Sequence, residues 1–286
     1  MRWKLAVSER RACRVIGQPR SSQRYAGRKV EKNRSLAERM GRLSQENPRY
    51  GYRRVWALLK REGWKVNKKV VYRLWREEGL KVPNTQRKRP RLLPEGTSEN
   101  GCTRRRAEHK DHVWSYDFVM DRTEDGRRLK MMPVVDEYTR ECFAIEVERC
   151  ITAEYVIGTL ERLFEQRGAP AFIRSDNGPE FVARALKQWL ALSEVETLYI
   201  EPGSPWENAY AESFIGRFGD ELLKREAFAD LIEAKVLVEE YREHHNHRRP
   251  HSALGYRTPL EFAASCESAG VDVQFAKELQ SATVLS

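Results

Sequence analysis

Three acidic side chains stand in contexts that suit metal chemistry. Asp117 lies in the aromatic-rich run Val113-Trp114-Ser115-Tyr116-Asp117-Phe118-Val119, Asp176 ends Ile173-Arg174-Ser175-Asp176, and Glu212 sits in Asn208-Ala209-Tyr210-Ala211-Glu212-Ser213-Phe214. The first run reads as a strand. The second reads as a short buried strand closed by an Asn177-Gly178 turn, with Pro179 where a helix can begin. The third reads as an early helical turn after the breaker run Pro202-Gly203-Ser204-Pro205, with Asn208 and Glu212 on one helix face. Carboxylates from a strand middle, a strand end and a helix start offer the hard oxygen ligands that Mg²⁺ takes alongside substrate phosphates. Two ions about 4 Å apart would serve an in-line displacement, one activating a water or 3′-hydroxyl and the other stabilising the leaving 3′-oxygen. Taken singly, each acid also reads as a cap, an ion-pair member or a surface residue. Asp136, Glu137, Glu180 and Asp220 are rival carboxylates that periodicity does not exclude, Asp136 foremost because it ends a strand.

The elements that must position these acids follow from patterning. Strands are expected at 113–119, 129–136 and 142–148, with Asp125-Gly126 as a hairpin signal between the first two. A helix near 153–167 carries Val156, Leu160, Leu163 and Phe164 on one side and is followed by Gly168. Then come a strand (171–175), a helix (179–192), a short strand (197–200), a loop (201–206), a long helix from about 207 to 224 and a last helix near 230–246. Three antiparallel strands followed by alternating helix and strand give an α/β fold, a mixed five-stranded sheet with flanking helices. In it the first and fourth strands can be neighbours, and the long helix can lay Glu212 over their ends.

Charge divides the chain. Residues 1–107 carry 31 Lys and Arg against 9 Asp and Glu, a balance of +22, whereas the remaining residues carry 21 against 33, a balance of −12. A basic half joined to an acidic half suits nucleic-acid contact by the first and metal chemistry in the second. Residues 1–34 form a basic N-terminal segment with a helical piece near 5–16, and read as the end of something that continues upstream. Residues 35–80 read as three helices, a small all-α helix-turn-helix domain. In it Asn67 caps a third helix with the apolar stripe Val70, Val71, Leu74 and Trp75, and Lys68, Lys69, Arg73 and Arg76 are offered to DNA. An ordinary helical hairpin with a solvated charged face is the alternative. Residues 81–107 form a basic linker, interrupted by prolines, that can track a phosphate backbone. The core is set at 108–265 and a C-terminal tail at 266–286. Five cysteines without a CxxC pair fit a reduced cytoplasmic protein, no apolar run approaches a membrane span, and His109 and His112 lack the Cys pair that a zinc finger needs.

Four motifs carry a resemblance. Trp114-Ser115-Tyr116-Asp117, the run from Ser175 to Phe181, the run from Asn208 to Phe214, and Tyr241 with His247-Arg248-Arg249-Pro250-His251-Ser252-Ala253-Leu254-Gly255-Tyr256 together resemble bacterial insertion-sequence transposases of the retroviral-integrase type. Thirty-five residues separate Asp176 from Glu212, the family's Asp-Asp-35-Glu spacing. Upstream, Pro48-Arg49-Tyr50-Gly51-Tyr52-Arg53-Arg54 through Tyr72-Arg73-Leu74 resembles the helix-turn-helix that precedes the core in the same proteins. The resemblance implies a ribonuclease-H-like core, Mg²⁺ or Mn²⁺, and cutting and joining of element ends by transesterification. Asp117, Asp176 and Glu212 are by position the metal ligands. It also implies double-stranded DNA as partner, a homo-oligomer holding two ends, action in the cytoplasm at the nucleoid, and, in many relatives, fusion by frameshifting to an upstream frame.

One position departs from the pattern. The family usually places Lys or Arg seven residues after the glutamate to contact the DNA end, and here that residue is Gly219. Arg217 and Lys224 remain nearby as DNA-contact candidates, though on an ideal helix Arg217 is rotated about 160° from residue 219. Weakened end binding is the expectation. Trp206 is read either as a stacking platform for an unpaired end base or as core cover. Asn177 and Asn208 are expected to orient the acids or the loop. The cluster His244, His245, His247, Arg248, Arg249 and His251 is read either as a phosphate contact or as a helix C-terminus complementing its dipole. Rival functions are a nuclease that hydrolyses without joining and a silent DNA-binding remnant.

Overall fold

The computed structural model describes residues 7–24, 30–83, 105–175, 184–199 and 209–266, and it divides into two units, 1–85 and 86–286. The first unit holds α1 (Glu9–Val15), α2 (Arg20–Gln23), α3 (Val30–Glu46), α4 (Tyr52–Arg61) and α5 (Lys68–Glu77). Helix α3 begins at Val30, so the boundary expected at residue 34 falls inside a helix. Leu36, Met40 and Leu43 of α3, Val55 and Leu59 of α4, and Val71, Leu74 and Trp75 of α5 form one buried core with Tyr50. Between α4 and α5 the chain turns at Gly63, whose φ of +83° only glycine adopts at no cost. The Asn67 side chain then accepts the Lys69 N–H at 2.9 Å, the expected N-cap of α5.

The second unit is built on a mixed sheet of β1 (Val113–Tyr116), β2 (Val119–Arg122), β3 (Arg128–Asp136), β4 (Cys142–Glu148), β5 (Phe172–Ser175) and β6 (Glu196–Tyr199). Strands β1 and β2 both pair antiparallel with β3 in one continuous register, so they form a single ribbon with a break at Asp117 and Phe118. The sheet is therefore five ribbons wide, with β4 on the other side of β3, and with β5 and β6 added parallel beyond β1. The unbroken strand expected at 113–119 is corrected to two, and the cause lies across the ladder. The Glu137 N–H donates to Val113 O and the Thr123 N–H to Arg127 O, so odd-numbered residues of β3 exchange bonds with this ribbon. Residue 133, opposite Asp117, is proline and has no N–H to give.

The pleat sorts side chains onto two faces. Trp114, Tyr116, Met132, Val134 and Ile173 face α6 (Ala153–Arg167) and α7 (Arg184–Leu192), meeting Val156, Leu160, Leu163, Leu186 and Leu190. Leu129, Met131, Val135, Ile145 and Val147 face α8 (Ala209–Phe218) and α9 (Leu231–His247), meeting Phe214, Phe218, Ala234, Val238 and Tyr241. The long helix expected to run to 224 is α-helical only to Phe218. A π-helical turn follows at Gly219–Leu223, in which the Lys224 N–H reaches back to Gly219 O. This turn accompanies burial of Leu222 in the core and places Glu221 against Arg249.

Candidate active site

Asp117 occupies the break between β1 and β2, half-buried, and its Oδ1 accepts the N–H of Phe118 at 2.7 Å. Such a local bond competes with the ladder and holds the carboxylate beside its own backbone. Phe118 joins the α6/α7 face and Val119 the α8/α9 face, so alternation puts Asp117 on the α8/α9 side. Helix α8 crosses that side, packing on β3 and β1. Its buried stripe is Ala211, Phe214 and Phe218, and Glu212 is exposed in its first turn. Asp117 at the strand break and the helix whose first turn bears Glu212 thus lie on the same side of the sheet. Carboxylate oxygens, without competing sulfur ligands, suit a hard divalent cation. Among the described residues no three His, Cys, Asp or Glu side chains converge on one point. Asp176, Asn177, Trp206, Asn208 and the rival Glu180 lie outside the described residues.

Beneath Asp117 lies a buried ion pair. Arg174 of β5 stands beside Ser115 in the parallel register, one pleat step back from Asp117 on the same face. Its Nε donates to Glu137 Oε1 at 2.9 Å and its Nη2 to Arg105 O at 2.7 Å, with both side chains almost fully buried. Sequence reasoning named Glu137 only as a rival ligand and passed over Arg174. The available signal was a charge inside an otherwise apolar strand, which burial tolerates only when it is paired.

Asp136, the foremost rival, is a turn-former. Its Oδ2 accepts the Thr139 N–H at 2.8 Å and the Thr139 hydroxyl at 2.6 Å, and burial raises its pKa from the ordinary 3.8 to about 6. A raised pKa means that stability is fully present below pH 3.8 and is lost as pH rises through about 6. Asp136→Asn is expected to remove this loss, worth about 3 kcal/mol at neutral pH. Denaturant unfolding at pH 4 and pH 7 would test it; equal pH slopes for parent and variant would refute it.

Two models described as "Integrase core domain" match residues 107–205 and 193–259, and one described as "HTH-like domain" matches residues 31–89. The 31.7 kDa protein of insertion element IS407 from Burkholderia multivorans is 43% identical over 265 residues, covering 92% of this chain and 93% of the relative. Transposase InsD of insertion element IS2 from Escherichia coli is 30% identical over 230 residues, 76% of this chain and 74% of that protein. The chain belongs to the insertion-element transposases with an integrase core. Among solved structures, the HTLV-2 integrase catalytic core domain in complex with magnesium aligns at a TM-score of 0.44 and 15% identity, over 55% of this chain and 99% of that one.

The remaining features of this transposase sort by exposure. On α5, Lys69, Arg73 and Arg76 share an exposed stripe with Tyr72, a residue the sequence reading did not select. Lys68 instead lies 4.7 Å over the Trp56 ring, and Arg73 sits 3.5 Å from Glu77. The cluster at the end of α9 is mostly architectural. Arg249 grips Glu221 through Nε at 2.8 Å and Nη2 at 2.7 Å, and is fully buried. Asn246 accepts the Cys142 N–H and donates to its carbonyl. Burial holds His245 well below its usual pKa and therefore neutral, against Arg140 O at 3.1 Å. His247 and Arg248 stay exposed. Arg217 is half-buried, and Lys224 pairs with Asp220 at 2.5 Å. No described helix is long and apolar enough to cross a membrane.

Proposed function

We propose that this chain cuts DNA at the ends of an insertion element and joins them to a target duplex, with Asp117, Asp176 and Glu212 holding two Mg²⁺ or Mn²⁺ ions. The observation that carries this reading is the placement of Asp117 at a break in the central sheet, on the face crossed by the helix whose first turn bears Glu212. In cutting, a water oxygen attacks the phosphorus and the bond to the 3′-oxygen breaks. In joining, that 3′-oxygen forms a new P–O bond as another breaks, so the number of phosphodiester bonds is conserved. The bound ions would activate the attacking oxygen and stabilise the leaving one. The protein's part is to hold the acids rigidly: Asp117 by its bond to Phe118, and Glu212 by the apolar stripe of α8. Lys69, Arg73 and Arg76, with Tyr72, would meet the duplex from α5, Lys68 would brace α5 through Trp56, and the basic linker 81–107 would follow the phosphate backbone. Arg217 and Lys224 would flank the DNA end, and Asn177, Asn208 and Trp206 would order the loops around it. The enzyme would work in the cytoplasm at the nucleoid as a homo-oligomer that holds both ends, with an upstream-frame partner where fusion occurs.

The test is a Mn²⁺-dependent strand-transfer assay on oligonucleotides copying the element's ends, supplied with a free 3′-hydroxyl and a target duplex. Joined product supports the transposase; cleavage without joining would make it a nuclease. Gly219 favours one further reading, a DNA-binding remnant, which binding without either product would support. A Cβ added at Gly219 meets nothing within 4 Å, so Gly219→Arg should fold. It also removes a glycine that costs a helix roughly 1 kcal/mol. The variant is expected to raise end binding or joining severalfold, and no gain in either would refute a role for that position.

A further inference from the structure

At the far end of the β2–β3 hairpin lies an open groove of about 580 Å³, lined by Arg122, Arg128, Lys130 and Arg149, with Met120 and Cys150 exposed on its wall. Arg122 and Arg128 are direct cross-strand partners, and Met120 stands opposite Lys130 beside them. The even-numbered pairs alternate with the hydrogen-bonded ones, so the two arginines form a close pair whose side chains share one face. Like charges directly opposite one another destabilise a sheet. Among the described residues no carboxylate pairs with Arg122, Arg128 or Arg149. Asp121, the acid on the wall, stands on the alternate pleat and accepts the Arg122 N–H at 2.8 Å. Glu148, opposite Lys130 in β4, is held by Lys235 at 2.5 Å, and Asp125 is held by Arg127. Arg149 is fixed in place, with Nη1 donating to Thr123 Oγ1 at 2.8 Å and to the carbonyls of Arg127 and Arg128 at 3.2 Å. Lys130 lies 3.8 Å over the ring of Phe118, the residue next to Asp117.

We propose that this groove is a second DNA-backbone site in the catalytic unit, in which Arg122 and Arg128 each take a phosphate beside the fixed charge of Arg149. Two exposed arginines opposed across the strands repel one another, and adjacent phosphates along one strand supply a row of counter-charges. Guanidinium groups suit phosphate because their donors match its oxygens in pairs. An open groove rather than a closed cavity fits a continuous backbone better than a small anion. The site is distinct from α5 and from the carboxylates, and it rests on the reading that the chain binds DNA.

Cys150 makes the groove testable in the full chain. Its alkylation by a maleimide, followed by peptide mass spectrometry, would be measured with no ligand, with a short duplex, and with inorganic phosphate. The same measurements on Arg122→Gln/Arg128→Gln would be joined to a salt titration of duplex affinity. The expected result is severalfold protection of Cys150 by the duplex but not by phosphate. In the double variant that protection should be lost, and the slope of log affinity against log salt should flatten by about 1.8, for two phosphates at about 0.9 each. The variant should melt no lower than the parent, because a repulsion is relieved. Duplex binding with Cys150 reactivity unchanged, or with the salt slope of the variant unchanged, would overturn this proposal alone. Equal protection by phosphate would reduce the groove to a small-anion site and overturn it too. Failure of the chain to bind duplex at all would overturn this site and the transposase reading together.

Discussion

Asp117→Asn and Glu212→Gln are each expected to lower joined product by about 10³-fold or more, while the protein folds as the parent does. The size follows from what a metal ligand contributes to a phosphoryl-transfer transition state, several kcal/mol at 1.36 kcal/mol per tenfold. The intact fold follows from the structure. Glu212 is exposed in the first turn of α8 and buries no part of the core. Changes at such positions stay within about 0.5 kcal/mol. Asparagine at 117 keeps an amide oxygen that can accept the Phe118 N–H, so the break in the ribbon keeps its local bond. Closely placed carboxylates repel one another without a cation. Neutralising either should therefore leave the metal-free melting temperature unchanged or slightly higher, and should lessen the stabilisation that added Mn²⁺ provides. The decisive comparison sets joining rates in Mn²⁺ beside melting curves with and without it. Joining within tenfold of the parent in a normally melting variant would remove that residue from the proposed metal site.

The largest effect on stability is expected at Arg174. Replacing it by methionine removes the guanidinium that faces Glu137 in a site where neither side chain is more than 4% exposed. Breaking a buried ion pair by removing one member costs about 3–5 kcal/mol. For a unit of roughly 200 residues that corresponds to a drop in melting temperature of about 6–20 °C. Glu137→Leu added to Arg174→Met should recover most of the loss, since an apolar pair of similar volume is often as stable as a buried ion pair. Thermal unfolding of the two single variants and the double variant measures this as a cycle. A single variant that melts within about 2 °C of the parent, less than 1 kcal/mol at this size, would show that the pair holds nothing in place. Because Arg174 lies one pleat step from Asp117, the double variant also separates the two roles. Recovered stability with reduced joining would assign the pair to positioning the carboxylate.

Most of the architecture was legible in the chain because it rests on local periodicity. The stripe of α5, the Asn67 cap, the β2–β3 turn at Asp125-Gly126 and the span of α6 follow from residue types within one or two turns. The motif spacing pointed to the family, which the relatives bear out. What local pattern could not reach involves partners far apart in sequence. Proline 133 interrupts a strand that reads as continuous, because the missing donor belongs to the neighbouring ribbon. Arg249 and His245 read equally well as phosphate ligands until burial against Glu221 and Arg140 assigns them to the core. The π-helical turn at Gly219 was invisible for the same reason, since it accompanies the long-range pair of Glu221 with Arg249. The sequence by itself determined the elements, the charge division and the candidate carboxylates, because each depends on near neighbours. Only the tertiary structure decided which charges are buried and paired and which are left facing solvent, because desolvation and pairing are properties of contacts that the chain makes only when folded.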